Sequence, residues 1–251
     1  SYFKIKVSND LERDCERLCH IARVIESRLG RAYRVTLDGN EQYREAGEFD
    51  LLVDAVRGEP ALATLWENVL VIEQPLARQI ALDKDQTAGV RQLSESKPVI
   101  IDESDGDLQS CARALDLGYR GVSSKNCKGP LKSVLNAGLI WNRNDRGSRS
   151  DFVMTGEDLC TVGVVSVQSD LCLVAALGLE HVEKNGHHFM PGLEYLPGED
   201  QQAALASHGD FYEAQGDTVG PRIENGCFQI HSINNSGYGI HVVPDIEHWT
   251  A

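Results

Sequence analysis

Short apolar segments that each end in a charged or polar residue recur along most of this chain. Their end residues stand 23 to 35 residues apart, and they are Lys6, Asp38, Glu73, Asp102, Lys125 and Thr155. The first interval holds apolar residues at spacings of three and four from Leu11 to Leu29, which predicts a helix that Gly30 can end. Strands that alternate with helices at this spacing are typical of βα units around a parallel sheet.

Seven strand-like segments are present, one fewer than an eight-stranded barrel needs. The chain also opens without Met and directly in the strand-like YFKIKV. We therefore predict a TIM-type (β/α)7β barrel that lacks its first strand. The alternative is an open doubly wound sheet, although no G-x-G-x-x-G fingerprint follows any strand. Residues 1–200 are predicted to form the barrel from its second strand onward, and residues 201–251 the last barrel helix and a C-terminal segment.

The composition argues against several classes of partner. The net charge of -14 argues against nucleic acid, because phosphate binding needs clustered Lys and Arg. No stretch approaches the roughly 18 uninterrupted apolar residues of a membrane span, so no membrane association is predicted. The seven Cys contain no C-x-x-C pair, which favours reduced thiols in a cytoplasmic protein over a disulfide framework.

Three acids follow three consecutive strands, and in a barrel the carboxyl ends of the strands meet at one mouth. These residues are Asp38, with Asn40 close behind it, Glu73 and Asp102. Any one of them alone is explained as a turn or cap residue. Together they would repel one another unless a cation lay among them. Hard oxygen ligands without His or Cys predict Mg²⁺, with Mn²⁺ as the alternative ion.

Two lysines lie on the first strand-like segment. Lys4 and Lys6 are two residues apart, so both side chains point to one face of the strand. Neighbouring ammonium groups disfavour each other's charge, and a lysine in such a pair can act as a general base near neutral pH. The alternative is the solvated face of an edge strand, where lysine is common.

The segments FKIKV, LDGNEQY, VIEQPL and PVIIDES stand in this order at barrel spacing. They resemble the K-x-K, D-x-N, I-E-x-P and D-E-S strands of the enolase superfamily barrel, most closely those of the mandelate racemase and muconate lactonizing enzyme group. The match runs through residues 3–104 and continues less sharply toward the C-terminus. Sites of this superfamily use a Lys or His base together with Mg²⁺, which stabilises an ene-diolate.

The resemblance implies a role for each polar residue in these motifs. Lys6 would be an acid/base, and Lys4 and Asn40 would contact the substrate. The implied metal ligands are Asp38, Glu73 and Asp102. The family also has an N-terminal capping domain, which we expect to lie outside this sequence, with residues 201–251 returning to it.

The segment RGVSSKNCKG occupies the sixth strand, where many relatives of the superfamily place a second lysine across the substrate from the first. Lys125 fits the end of this strand best, and we predict that it is the second acid/base. Lys128 is the alternative, because the glycine pair that usually follows is replaced here by Gly129 and Pro130.

Three further polar residues are predicted to contact the substrate. Glu157 follows the seventh barrel strand, and the alternative role there is that of a helix N-cap. Asn185 and His187 lie in EKNGHHF after the eighth strand, where a contact to a substrate carboxylate or hydroxyl is expected. Adjacent histidines point in different directions, which argues against a zinc site in this segment.

The resemblance implies a Mg²⁺-dependent enzyme that abstracts a proton α to a carboxylate through an enediolate intermediate. A racemase, epimerase or cycloisomerase acting on a small carboxylate is expected, in a homo-oligomeric protein. The alternatives are an acid-sugar dehydratase of the same superfamily and a catalytically silent relative that binds carboxylates.

Overall fold

The structure is a computed structural model that describes residues 1–85, 87–147, 150–157, 163–183 and 192–244. The chain divides into two compact units. The first consists of Ser1–Ser123 and Val134–Met154, and the second of Ser124–Ser133 and Thr155–Ala251.

Six parallel strands form one sheet in which spatial order follows chain order. They are β1 (Tyr2–Lys6), β2 (Arg34–Asp38), β3 (Val69–Glu73), β4 (Val99–Ile101), β5 (Gly121–Ser124) and β6 (Val153–Gly156). At least one helix separates each strand of this series from the next. The chain therefore has the fold of a partial TIM-type α/β barrel, which confirms the fold class predicted from the strand spacing.

The helices alternate with these strands and continue beyond them. They are α1 (Leu11–Leu29), α2 (Ala46–Gly58), α3 (Ala63–Glu67), α4 (Val90–Ser96), α5 (Ser110–Leu117), α6 (Pro130–Arg146), α7 (Val165–Ala176) and α8 (Gly198–Ser207). Short 3-10 turns occupy Pro60–Leu62 and Asn126–Lys128. Among the helices that the structure describes, none combines the length and the apolar character that a membrane crossing requires.

The first helix shows how the sequence sets the bounds of an element. Asp10 caps the N-terminus of α1, because its side chain accepts a hydrogen bond from the backbone N–H of Arg13 at 3.2 Å. Gly30 ends the helix with φ of 59°, a value that glycine adopts readily. The apolar face buries Leu18 and Ile25, as the three-and-four spacing predicts.

The core of the first unit lies where the strands meet the helices. Strands β3 and β4 are almost entirely buried, as expected for parallel strands that are covered on both faces. Gly121 opens β5, and a Cβ atom at this position would lie 1.8 Å from the carbonyl oxygen of Val153. Only glycine allows this close approach between neighbouring strands.

The second unit has a separate apolar core and an antiparallel hairpin. Strands β7 (Tyr212–Gln215) and β8 (Thr218–Pro221) form the hairpin. The core includes Leu171, Leu193 and Phe211. The last strand-like segment of the sequence, which corresponds to the eighth strand of the barrel, is represented among the described residues by one parallel bridge between Gly156 and Val182. From residue 184 onward this segment lies outside the described residues.

Candidate active site

The ends of the first three strands are in register. Lys6, the last residue of β1, pairs with Asp38, the last residue of β2, and Asp38 in turn pairs with Glu73, the last residue of β3. Asp102 follows the end of β4 directly. Four polar residues from distant parts of the chain therefore stand at the carboxyl edge of one sheet, where barrel enzymes carry their active sites.

Lys4 lies between two of the buried acids. Its Nζ atom is 2.8 Å from Oε1 of Glu73 and 3.1 Å from Oδ2 of Asp38, and its side chain is only 10% exposed. Burying these charges would be costly without such pairing. Lys6 also contacts Oδ2 of Asp38, but its side chain is 53% exposed. Lys4 is therefore part of a buried ion network, and Lys6 reaches from this network toward solvent.

Glu73 and Asp102 have the geometry of two ligands of one cation. Each offers a carboxylate oxygen within 4.8 Å of the other, and both residues are buried. Ser123 donates a hydrogen bond to Oδ1 of Asp102. Carboxylate oxygens are the ligands that Mg²⁺ and Mn²⁺ prefer, so this donor set fits a hard divalent ion. Asp38 differs from these two acids, because its Oδ2 atom contacts the Nζ atoms of both Lys4 and Lys6.

The turn after β2 explains why glycine follows Asp38. A Cβ atom on Gly39 would lie 2.5 Å from Cα of Pro75, so only glycine allows the loops after β2 and β3 to approach this closely. The N–H of Gly39 donates to the carbonyl of Glu73 at 2.8 Å. The N–H of Asn40 donates to Oδ1 of Asp38 at 2.7 Å, which orients that carboxylate.

The side chain of Asn40 is bonded to a second acid that follows β4. Its Nδ2 atom donates to Oε1 of Glu103 at 2.8 Å. Burial raises the pKa of the Glu103 carboxyl, and the neighbouring negative charge of Asp102 raises it further. Asn40 therefore stands at the predicted edge and links the loops after β2 and β4, while its contact with a substrate stays a prediction.

Several polar groups at this edge were not predicted from the sequence. They are Gln74, Glu103, Ser104 and Ser123. The signal for Gln74 and Glu103 is a polar residue that continues a buried apolar run, in VIEQPL and VIIDES. Ser123 gives no such signal, because a serine inside GVSS is equally compatible with a solvent-facing position.

The other predicted site residues belong to the second unit. Lys125 follows β5 directly, and Lys128 ends the short turn after it. Glu157 is buried after β6, and Oγ1 of Thr155 donates to its Oε1 at 3.1 Å. Asn185 and His187 lie outside the described residues. The roles of these residues stay predictions.

Comparison with solved structures identifies proteins of the same fold. Muconate lactonizing enzyme from Pseudomonas putida matches with a TM-score of 0.51 and 20% identity, over 72% of this chain and 44% of that one. A mandelate racemase/muconate lactonizing protein from Herpetosiphon aurantiacus matches with a TM-score of 0.52 and 20% identity, over 72% and 45%. A muconate cycloisomerase variant matches with a TM-score of 0.51 and 19% identity, over 72% of this chain and 44% of that one.

This chain thus spans less than half of the length of these structures. No protein-family model and no curated protein matches the sequence. The likeness therefore identifies the fold, and it agrees with the order of the four sequence motifs. The chain shares its fold with solved structures of the mandelate racemase and muconate lactonizing enzyme group, as the resemblance predicts.

Proposed function

We propose that this protein is a Mg²⁺-dependent enzyme of the enolase superfamily that abstracts a proton α to the carboxylate of a small substrate. A racemase, epimerase or cycloisomerase reaction through an enediolate is the form that we favour. The observation that carries the proposal is the register of Lys6, Asp38 and Glu73 at one sheet edge, with Asp102 following the next strand. A structural role alone does not require two lysines and three acids to come together near one edge of the sheet.

Glu73 and Asp102 would hold the ion, with Asp38 as the third expected ligand. The first two supply oxygen atoms at a separation that one cation can share. A bound Mg²⁺ supplies a positive charge that stabilises negative charge developing on the substrate carboxylate. The carboxylates are buried and would hold this cation where electrostatic interactions are stronger than in water.

Lys6 is the side chain best placed to move the proton. Its contact with Asp38 orients the side-chain nitrogen at the strand end, and its exposure leaves this nitrogen accessible to a substrate. The neutral amine would be the form that accepts the proton. Lys4 is held by Glu73 and Asp38, so its positive charge is suited to binding the substrate carboxylate rather than to carrying a proton. The second acid/base expected from the resemblance is Lys125, and Lys128 is the alternative.

The names of the structures that share this fold support the proposed reaction class. They are called a lactonizing enzyme, a cycloisomerase variant and a mandelate racemase/muconate lactonizing protein. The four ordered motifs provide independent support, because each places its polar residue at a strand end.

A screen for α-proton exchange tests the proposal and narrows the substrate class. The protein would be incubated in D2O with Mg²⁺ and with dipeptides, N-acyl amino acids or acid sugars, and deuterium at the α-carbon would be followed by NMR. We expect exchange with at least one class and none in EDTA. A 2-keto product from an acid sugar would favour the dehydratase alternative. Carboxylate binding without exchange in any class would contradict the proposal and favour a silent binding protein.

A further inference from the structure

One fully buried side chain connects the segments that carry Glu73 and Asp102, and the proposed chemistry gives it no role. Gln74 follows Glu73 directly and has φ of 34°, which is uncommon for a residue other than glycine. A polar amide in a barrel core costs free energy unless its donors and acceptors are satisfied.

Both ends of the Gln74 amide are bonded. Its Oε1 atom accepts hydrogen bonds from the backbone N–H groups of Asp102 at 2.7 Å and Ser104 at 3.2 Å. Its Nε2 atom donates to the carbonyl of Leu76 at 2.7 Å and to Oγ of Ser104 at 2.7 Å. The amide orientation is unambiguous, because two N–H donors face one end and a carbonyl faces the other.

The backbone of Gln74 continues the same connection. Its N–H donates to the carbonyl of Ile100 at 2.9 Å, and its carbonyl accepts from the N–H of Glu41 at 2.9 Å. The residue is carried on the end of β3 and is bonded to the segments that follow β2 and β4. The turn that presents the Asp102 carboxylate is therefore held by the residue next to Glu73.

We propose that Gln74 is a positioning residue that fixes the Asp102 carboxylate relative to Glu73 for metal binding. This inference rests on the proposed function, since it takes both acids as ligands of one ion. Polar partners that orient metal ligands typically contribute about 10- to 100-fold to metal affinity. Gln74 touches the backbone of the ligand-bearing turn, so its effect would be on ligand placement and not on proton transfer.

Mn²⁺ binding to the whole protein tests this role, with Gln74→Met as the variant. Methionine has a similar length and no amide, so it removes the four side-chain hydrogen bonds. The matched control is Tyr119→Phe, which removes a buried hydrogen bond of 2.9 Å to the carbonyl of Ala81 and none of the four bonds of the Gln74 amide. We expect Gln74→Met to raise the Mn²⁺ Kd about 10-fold or more and to alter the electron paramagnetic resonance spectrum of bound Mn²⁺. Tyr119→Phe should leave both unchanged.

Ser104→Ala is the second variant, because it removes only one of the four bonds and conserves the backbone contacts. We expect it to raise the Mn²⁺ Kd by less than Gln74→Met does. If Gln74→Met folds and shows the wild-type Kd and spectrum, the inference is wrong. If Gln74→Met does not fold, a wild-type Kd and spectrum in Ser104→Ala would overturn the inference instead. Absence of Mn²⁺ binding by the wild-type protein would contradict the proposed function itself, which separates the two failures.

Discussion

The ammonium nitrogen of Lys4 lies 2.8 Å from Oε1 of Glu73, and this ion pair is almost completely buried. The same nitrogen is 3.1 Å from Oδ2 of Asp38. A positive charge that belongs to the chain therefore already neutralises part of the acidic cluster. If these carboxylates bind a metal ion as proposed, the free energy of folding and the affinity for that ion are coupled through them.

Replacing Lys4 tests this coupling. Lys4→Met removes the ammonium group that contacts Glu73 and Asp38, and removing one member of a buried ion pair costs about 3 kcal/mol or more. We expect the free energy of unfolding to fall by about that amount in EDTA, and by less in saturating Mg²⁺, because a bound cation stabilises the same carboxylates. Urea unfolding measures both values. Lys84→Met, at an exposed position, is the control. Equal losses of unfolding free energy in Lys4→Met with and without Mg²⁺ would argue against a cluster that the lysine and the metal ion share.

Replacing Asp102 tests its place among the ligands. Asp102→Asn keeps the shape of the side chain and removes a negative charge that Mg²⁺ would use. We expect the Kd for Mg²⁺, measured by isothermal titration calorimetry, to rise at least about 10-fold. Asp85→Asn, at an exposed acid of the same unit, should leave the Kd at the wild-type value. An unchanged Kd in Asp102→Asn would remove this residue from the ligand set.

His208 should make the stability of the second unit dependent on pH. Burial lowers the pKa of its imidazole, and the stacked ring of His241 lowers it further, against the opposing charge of Asp210. The unfolded chain, with a His pKa of about 6.5, therefore binds the proton more readily than the folded one. The contribution of His208 to the free energy of unfolding should be constant above this pH and should decrease as the pH falls below it.

Urea unfolding at pH 7.5 and 5.5 measures this effect. His208→Gln should reduce the difference in the free energy of unfolding between pH 7.5 and pH 5.5. His20→Gln, at an exposed position on α1, should leave that difference unchanged. A wild-type pH difference that survives unchanged in His208→Gln would show that another group is responsible.

Much of the site edge could be predicted because it depends on strand order. A polar residue that ends a buried apolar run must leave the sheet at its carboxyl edge, and this pattern predicts that Lys6, Asp38 and Glu73 lie at one edge, as the strand register shows. The helix α1 was predictable for a similar reason, since its apolar spacing and its capping residues are local in sequence.

The contacts among these side chains could not be predicted from the same pattern. The position of Lys4 between two acids and the four bonds of the Gln74 amide depend on side-chain directions across neighbouring strands. Spacing along one strand predicts the face to which a side chain points, but it does not predict which side chain of a neighbouring strand it meets. The bond between Asn40 and Glu103 is a further example, because the sequence predicts Asn40 at this edge and does not predict that its side chain meets Glu103.

The most direct test of the central claim is the rate of α-proton exchange in D2O by wild type and Lys6→Ala, at saturating Mg²⁺ and with a carboxylate substrate found by the screen. We predict that Lys6→Ala slows exchange at one prochiral or stereochemical face by about 10²-fold or more, the usual contribution of a general base. The Kd for Mg²⁺ should remain at its wild-type value, and Lys84→Ala should exchange like wild type. Wild-type exchange at both faces in Lys6→Ala would contradict the assignment of this lysine as the base.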